Sequence, residues 1–165
     1  MTTLAEANAM SPSAFVMEFG DVAEHSPWVA RSVAGARPLV SRDAMVEAFT
    51  SAVTAAPRET QLALIRAHPD LATKVKLTND SSREQAGAGL DTLTQEEFDR
   101  FTRLNGLYKA KFGFPFIIAV RGATKRQILD SFEERLKNAA ETEFATAITQ
   151  VCRILRFRIE DRVSP

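Results

Sequence analysis

The sequence predicts an all-α fold, a multi-helix bundle formed by a single domain over residues 1–165. Apolar residues recur at the three- and four-residue spacing of amphipathic helices, whereas the two-residue alternation of strands is scarce. The length is that of one ordinary domain, which can bury a core without disulfides or metal. No internal repeat or low-complexity linker marks off a second domain.

Three helices are predicted near the N-terminus. Ser11 and Pro12 have the residue types of an N-cap and a first helical position, and the helix that they open should end near Gly20. Pro27 is the expected start of a second helix, and Ser41 the N-cap of a third. The third helix carries a row of apolar residues: Met45, Val46, Phe49 and Val53.

Further helices are predicted in the rest of the chain. An apolar helix over residues 61–67 runs into a proline, and Thr94 with Glu97 forms a capping box before another helix. The segment FGFPFIIAV at 112–120 should be extended, because its proline disfavours helix in the preceding residue. Thr124 caps the next helix, and the last begins at about residue 141.

The amino-acid composition indicates which kinds of partner the protein could bind. Lys plus Arg equals Asp plus Glu, 21 against 21, which gives no broad electrostatic reason to expect nucleic acid or a membrane as a partner. We therefore expect a small-molecule partner. No segment reaches the apolar length of a membrane span, and the N-terminus lacks the pattern of a signal peptide. The lone Cys152 falls in the apolar rhythm of a helix and suits a reducing compartment, so we expect a cytoplasmic protein.

Three irregular stretches interrupt the helical pattern, at residues 67–72, 79–91 and 111–122. A helical bundle needs only short polar connections, so longer or more apolar ones favour a functional explanation. The first stretch, AHPDLA, contains His68, whose imidazole can exchange a proton near neutral pH. His68 and Asp70 could equally be helix caps. His25, the other histidine, is expected to be a surface or capping residue.

The second stretch combines polar and small residues. Ser81 and Glu84 have capping-box spacing, which would make them a helix start and nothing more. Gln85 and the small residues at 86–89 would let a backbone or a ligand approach closely.

A metal site is also conceivable from His68, Asp70, Glu84 and Asp91. Zinc sites, however, usually use several histidines or cysteines, so we expect no metal. Of the four arginines near the C-terminus, we expect three to be solvated and one to reach inward and bind an anionic or ureido oxygen. These four are Arg153, Arg156, Arg158 and Arg162.

Several motifs together resemble one enzyme family. They are FVMEFGDVAEHSPWVA, AHPDL, SSREQAGAGLD, FTRLNGLYKAKFGFPFIIAVRG and LRFRIEDR, in this order along nearly the whole chain. In combination they resemble the 2-oxo-4-hydroxy-4-carboxy-5-ureidoimidazoline (OHCU) decarboxylases of uric acid breakdown.

The resemblance implies a cofactor-free, all-helical homodimer that converts OHCU to (S)-allantoin and carbon dioxide. It also implies functional coupling to urate oxidase and 5-hydroxyisourate hydrolase, which supply the substrate. By the family's motifs His68 would be the catalytic acid/base and Glu84 a second catalytic residue. The substrate-binding residues carried over from the family are Pro69, Ser81, Gln85, Phe116, Ile118 and Arg158. Arg158 is the better match to the arginine of the final motif, and the neighbouring Arg156 is the alternative.

Two other functions remain open at this point. The chain could be a non-enzymatic helical binding module whose irregular stretches only cap helices. It could also be a hydrolase of a related ureide, in which His68 and Glu84 activate water. The first alternative predicts no turnover, and the second predicts incorporation of water without release of carbon dioxide.

Overall fold

A computed structural model describes residues 1–74 and 76–165 and confirms the all-α class. The described residues form nine helices and one minimal pair of strands. The elements are β1 (Thr2–Thr3), α1 (Leu4–Ala9), α2 (Pro12–Phe19), α3 (Trp28–Ala34), α4 (Arg42–Thr54), α5 (Arg58–Ala67), α6 (Asn79–Gly87), α7 (Gln95–Phe112), α8 (Lys125–Arg135), α9 (Ala140–Arg162) and β2 (Val163–Ser164). None of the described helices combines the length and apolarity that a membrane span needs.

The chain divides into two compact units. Unit 1 comprises Met1–Ala67 and Val151–Pro165, and unit 2 comprises His68–Gln150. The boundary within the second half of the chain falls inside α9. That residues 1–165 form a single domain stays a prediction.

Unit 1 is built on an aromatic core under well-capped helices. Helix α3 packs against both α2 and α4. The Phe15 ring lies 4.8 Å from the Phe19 ring and 6.5 Å from the Phe49 ring, between centroids, and all three side chains are fully buried. The predicted caps are confirmed, because the side chains of Ser11 and Ser41 accept backbone N–H bonds at the starts of α2 and α4.

Unit 2 contains the long helix α7, which packs against α8. Thr94 caps α7 as predicted, and Thr124 caps α8 in a full capping box with Gln127. Helix α7 ends at Gly113, whose φ of +77° is a left-handed conformation that glycine adopts without strain. The chain then has no regular secondary structure over residues 115–120, as expected for a segment that is not helical, whereas Phe112 of the predicted extended segment still belongs to α7.

A buried ionic cluster supports this extended segment. The Glu143 carboxylate is fully buried and accepts hydrogen bonds from the Tyr108 hydroxyl, Arg135 Nε and Asn138 Nδ2. Arg135 also donates to the carbonyl of Ile117 at 2.6 Å. A buried carboxylate needs such compensation, because an unpaired buried charge is strongly destabilising. The cluster thereby ties the segment to α8 and α9.

Two helix starts differ from the sequence prediction. Helix α6 begins after Thr78, whose hydroxyl accepts from the Ser81 N–H, so the capping box proposed for Ser81 and Glu84 is wrong. Residues 79–87 of the expected irregular stretch are therefore helical. Helix α1 was not predicted, although Thr3 and Glu6 form a reciprocal capping box that a search for the T-x-x-E pattern would have detected.

Candidate active site

His68 lies immediately after α5, at the helix boundary expected from the sequence. Its side chain is buried, and the following Pro69 is half-buried. His25, in contrast, is exposed and has a left-handed φ of +46°, in agreement with its expected surface position. Of the two histidines, His68 is therefore the one held inside the protein.

Helix α6 carries the polar residues of the second motif. Ser81 and Gln85 are four residues apart, so they lie on one face of the helix, and both are buried. Glu84 is half-buried beside them. The Gln85 Oε1 atom accepts a hydrogen bond of 2.9 Å from the backbone N–H of Ala72. The structure thus brings the motif of α6 together with the loop that follows His68.

A pocket of about 390 Å³ opens between this loop and α6 within unit 2. Its lining includes Ala72 and Gln85, the small Ala86, and the charged residues Lys76 and Asp91. The volume falls in the range of small-ligand sites, and the lining offers both hydrogen-bond donors and acceptors. Ala86, one of the small residues that follow Gln85, thus lines the pocket, and a close approach of a ligand there stays a prediction.

Phe116 and Ile118 lie in the extended segment of unit 2. The Phe116 ring is buried and stacks on Phe132 with centroids 3.8 Å apart, and the Arg135 guanidinium lies 4.3 Å from its centroid. Ile118 is half-buried. The backbone N–H of Ala119 donates to Gln150 Oε1 at 2.9 Å, which fixes the end of the segment.

Arg158 lies in unit 1 and is the inward-facing arginine of the C-terminal group. It is buried, and its Nη1 donates to Glu24 Oε2 at 2.9 Å and to the Val22 carbonyl at 3.1 Å. Arg156 is exposed and pairs with Asp43 and Glu160, so it is not the buried member of the pair. Arg158 is therefore the buried one of the four arginines, and its expected contact with a substrate oxygen stays a prediction.

Two site-related residues of α7 were not found from the sequence. Asn105 Nδ2 donates to the Leu71 carbonyl at 2.9 Å, and Lys109 Nζ pairs with Asp70 at 2.7 Å. Both lie in the FTRLNGLYKAKFGFPF motif, but their partners are more than thirty residues away in sequence. Helical periodicity alone therefore gave no signal for these contacts.

The described residues provide neither a metal-ion site nor a reactive thiol. Within residues 1–74 and 76–165, no cluster of three His, Cys, Asp or Glu side chains is arranged to hold a metal ion. Burial raises the pKa of the Cys152 thiol, which keeps it protonated and therefore a poor nucleophile.

The family model described as OHCU decarboxylase matches residues 8–160 of the chain. The chain belongs to this family. It is 41% identical over 162 residues to the OHCU decarboxylase of Haloferax volcanii, covering 98% of this chain and 96% of that protein. It is 43% identical over 164 residues to the uric acid degradation bifunctional protein PucL of Bacillus subtilis, but spans only 33% of that longer protein. The OHCU decarboxylase resemblance and the carboxy-lyase class expected from the motifs are confirmed.

Two solved structures have the same architecture. The crystal structure of an (S)-allantoin synthase superposes with a TM-score of 0.81 at 28% identity, covering 98% of this chain and 54% of that chain. A crystal structure of an OHCU decarboxylase in the presence of (S)-allantoin superposes with a TM-score of 0.74 at 23% identity, over 87% of this chain and 96% of that chain. The second match supports the fold.

Proposed function

We propose that this protein decarboxylates OHCU to (S)-allantoin and carbon dioxide in uric acid degradation. The observation that carries this function is the end-to-end match to an OHCU decarboxylase at 41% identity. The expectation of a decarboxylase of the uric acid pathway is confirmed at the level of the family and its relatives. The assignment of individual residues to steps of the reaction is our proposal.

The reaction needs a positioned proton rather than a strong nucleophile. When the bond from the hydroxyl-bearing ring carbon to the carboxylate breaks, carbon dioxide leaves and the electron pair delocalises into the adjacent C=N bond. The neighbouring ring carbon, which bears the ureido group, must then accept a proton from one face to give a single enantiomer, while the hydroxyl group loses its proton and becomes the ring carbonyl. We assign this acid/base role to His68, because a buried imidazole at a fixed helix end can hold a proton at a defined position.

The other predicted residues would orient the substrate. Glu84 is proposed to orient the His68 imidazole and to accept hydrogen bonds from ureido N–H groups, and Ser81 and Gln85 to bind ureido and ring oxygens. Their grouping on α6, next to the loop that follows His68, supports this arrangement. Pro69 would shape the wall next to the histidine, and its ring fixes the backbone there.

The remaining substrate contacts are proposed from the other motifs. Phe116 and Ile118 would supply an apolar wall and backbone amides, supported by the anchoring of their segment through Arg135. Arg158 would bind a carboxylate or ureido oxygen through its planar array of donors. Its burial, unlike that of Arg156, supports the choice between the two arginines.

We further propose a cofactor-free cytoplasmic homodimer that acts as a single domain over residues 1–165. The substrate is chemically unstable, so coupling to the enzymes that form it, urate oxidase and 5-hydroxyisourate hydrolase, would limit its loss. The similarity to a uric acid degradation bifunctional protein supports such coupling.

The proposed homodimer is tested by sedimentation equilibrium at two protein concentrations. A measured mass equal to that of the 18.2 kDa chain would contradict it.

The test of the function follows circular dichroism of allantoin. Urate is oxidised and hydrolysed by purified upstream enzymes in the presence of this protein, and released carbon dioxide is measured in parallel. We expect rapid formation of one allantoin enantiomer with stoichiometric carbon dioxide. His68→Ala should abolish this acceleration, whereas His25→Ala, which changes the exposed histidine, should retain it. Slow racemic product would support a binding module, and incorporation of water without carbon dioxide would support a ureide hydrolase.

A further inference from the structure

The loop after His68 contains a residue, Ala72, whose backbone conformation is unfavourable for a non-glycine residue. Ala72 has a φ of +56°, in the left-handed region that non-glycine residues rarely adopt. Such a conformation persists only where surrounding contacts hold it. His68 lies four residues earlier, so a change in this loop would move the imidazole.

A single peptide group in this loop is held from both sides. Its carbonyl, from Leu71, accepts from Asn105 Nδ2 at 2.9 Å, and its N–H, from Ala72, donates to Gln85 Oε1 at 2.9 Å. Both hydrogen bonds are buried. Two side-chain amides from different helices therefore fix the orientation of one peptide plane.

Helix α7 holds the loop at a second point. Lys109 lies four residues after Asn105, on the same face of the helix, and its Nζ pairs with Asp70 at 2.7 Å. The salt bridge is partly exposed, so it adds less than the buried amide contact. Asn105 is thus the main link from α7 to the loop.

Asn105 is poorly explained as a residue that serves stability alone. Its side chain is 6% exposed, and its Oδ1 is buried without a hydrogen-bond partner in the described part of the chain. An unsatisfied buried acceptor is destabilising, whereas an apolar side chain of similar size would avoid that cost. An apolar side chain, however, could not donate a hydrogen bond to the Leu71 carbonyl.

We propose that Asn105 is a positioning residue for the reaction, which fixes the loop carrying His68 by holding the Leu71–Ala72 peptide group. This inference rests on the proposed role of His68. Asn105 itself acts through the loop and is assigned no contact with the substrate. The proposal extends the site to a residue of α7 that the motif comparison did not assign.

The experiment compares Asn105→Leu with a matched control in unit 1. Asn8 binds a loop in the same way, because its Nδ2 donates to the Leu39 carbonyl at 2.8 Å and its Oδ1 accepts from the Leu39 N–H at 2.8 Å. Steady-state kcat and KM are measured for wild type, Asn105→Leu and Asn8→Leu. The free energy of unfolding and the histidine ring signals in ¹H–¹³C NMR spectra are measured on the same samples. With two histidines in the chain, His25 is an internal reference for His68.

For Asn105→Leu we expect kcat to fall on the order of 10²-fold with KM changed less, as is typical of small misplacements of a reacting group. The free energy of unfolding should fall no further than in Asn8→Leu, because the loss of the donor to the Leu71 carbonyl is partly offset by removal of the unsatisfied Oδ1 atom. The His68 signals should broaden or split while those of His25 stay unchanged. Asn8→Leu should lower stability while leaving kcat and the His68 signals unchanged.

A second variant covers the case in which Asn105→Leu fails to fold. Asn105→Ala also removes the donor, without adding a bulky side chain or a charge, and it should show the same loss of kcat. A folded Asn105 variant with wild-type kcat and an unchanged His68 spectrum would overturn the proposal. Absence of turnover by the wild-type protein would instead overturn the proposed function, so the two failures are distinguishable.

Discussion

His68 and Glu84 differ in how strongly their surroundings constrain them. His68 is buried at a helix end, while Glu84 is half-buried on α6 and adjoins the buried Gln85. A half-buried carboxylate can face a ligand, which suits a group that orients an imidazole and accepts hydrogen bonds from a ureido group. The proposed division of roles therefore follows from the degree of exposure.

Replacing the Glu84 carboxylate by an amide tests the role proposed for Glu84 beside His68. We expect Glu84→Gln to lower kcat by about 10²-fold, because an amide cannot supply the negative charge that stabilises a protonated imidazole. Glu96→Gln, at an exposed position of α7, is the matched control and should leave kcat unchanged. The allantoin circular dichroism assay measures both variants. Wild-type kcat in Glu84→Gln would remove this residue from the catalytic machinery.

Tyr108 gives a prediction for alkaline pH. Burial, followed by its hydrogen bond to Glu143, raises the pKa of this phenol well above its usual value of 10.0. The folded state therefore retains a proton that the unfolded state loses above about pH 10. The stability that this contributes is present below that pH, and it is lost at about 1.4 kcal/mol per pH unit as pH rises toward the folded-state pKa.

The measurement uses the fact that Tyr108 is the only tyrosine. Phenolate absorbance should appear in the native protein only at a pH where the protein also unfolds. Urea titrations from pH 8 to pH 11 should show a steeper loss of stability in wild type than in Tyr108→Phe, although the variant is less stable at neutral pH. Parallel curves for the two proteins would contradict the raised pKa.

At the scale of elements, helix α6 is capped at its N-terminus by a side chain. The Thr78 hydroxyl caps its N-terminus, and the helix carries Ser81, Glu84 and Gln85. We expect Thr78→Ala to lower the free energy of unfolding by about 1 kcal/mol, the usual contribution of an N-cap. Because α6 holds the Ala72 N–H through Gln85, activity should also fall.

Thr94→Ala is the control for this change. Thr94 caps α7 through the same type of hydroxyl contact, to the Glu97 N–H at 3.2 Å. It should cost a similar free energy of unfolding in chemical denaturation, with a smaller change in kcat. Equal loss of activity in both variants would show that the effect of Thr78→Ala is general destabilisation.

The helices that the sequence predicts correctly are those whose signals are local. A cap and an apolar face lie within one helix, so Ser11, Ser41, Thr94 and Thr124 mark real starts. The start of α6 was misplaced because an earlier hydroxyl residue, Thr78, takes the capping role expected of Ser81.

The contacts within the candidate site could not be predicted from local sequence signals in the way that the helix starts could. The motif resemblance supplied its residue types, but the Asn105–Leu71 bond joins residues 34 positions apart. The apolar repeat of a helix or a strand gives no information about a hydrogen bond between residues so far apart in sequence. Burial of Arg158 rather than Arg156 likewise depends on the partner Glu24, which lies 134 positions away in the chain.

At the scale of the whole molecule, the Arg158–Glu24 pair gives a stability prediction. Both side chains are almost fully buried, at 3% and 1% exposure. Arg158→Met would leave the Glu24 carboxylate buried without its guanidinium, and we expect a loss of about 3–5 kcal/mol in the free energy of unfolding. Arg156→Met, at an exposed pair, should cost less than about 1 kcal/mol.

A double variant separates the cost of an unpaired charge from the value of the pair. Arg158→Met combined with Glu24→Leu removes both charges and should recover much of the lost stability in urea denaturation. If the double variant is as unstable as Arg158→Met alone, the loss does not arise from the stranded carboxylate. All four proteins are measured at one pH and one salt concentration.

The short parallel pair of strands has a practical consequence for joining this protein to others. Thr2 is aligned with Val163 and Thr3 with Ser164, so neighbouring backbones there are about 5 Å apart. Because the strands are parallel, a polypeptide that precedes Thr2 and one that follows Ser164 leave the pair in opposite directions, although from neighbouring points on unit 1. A tether that closes the chain into a ring would have to turn back along the pair, so a two-residue turn would not suffice, whereas a fused enzyme would be attached at nearly the same place whichever end carried it.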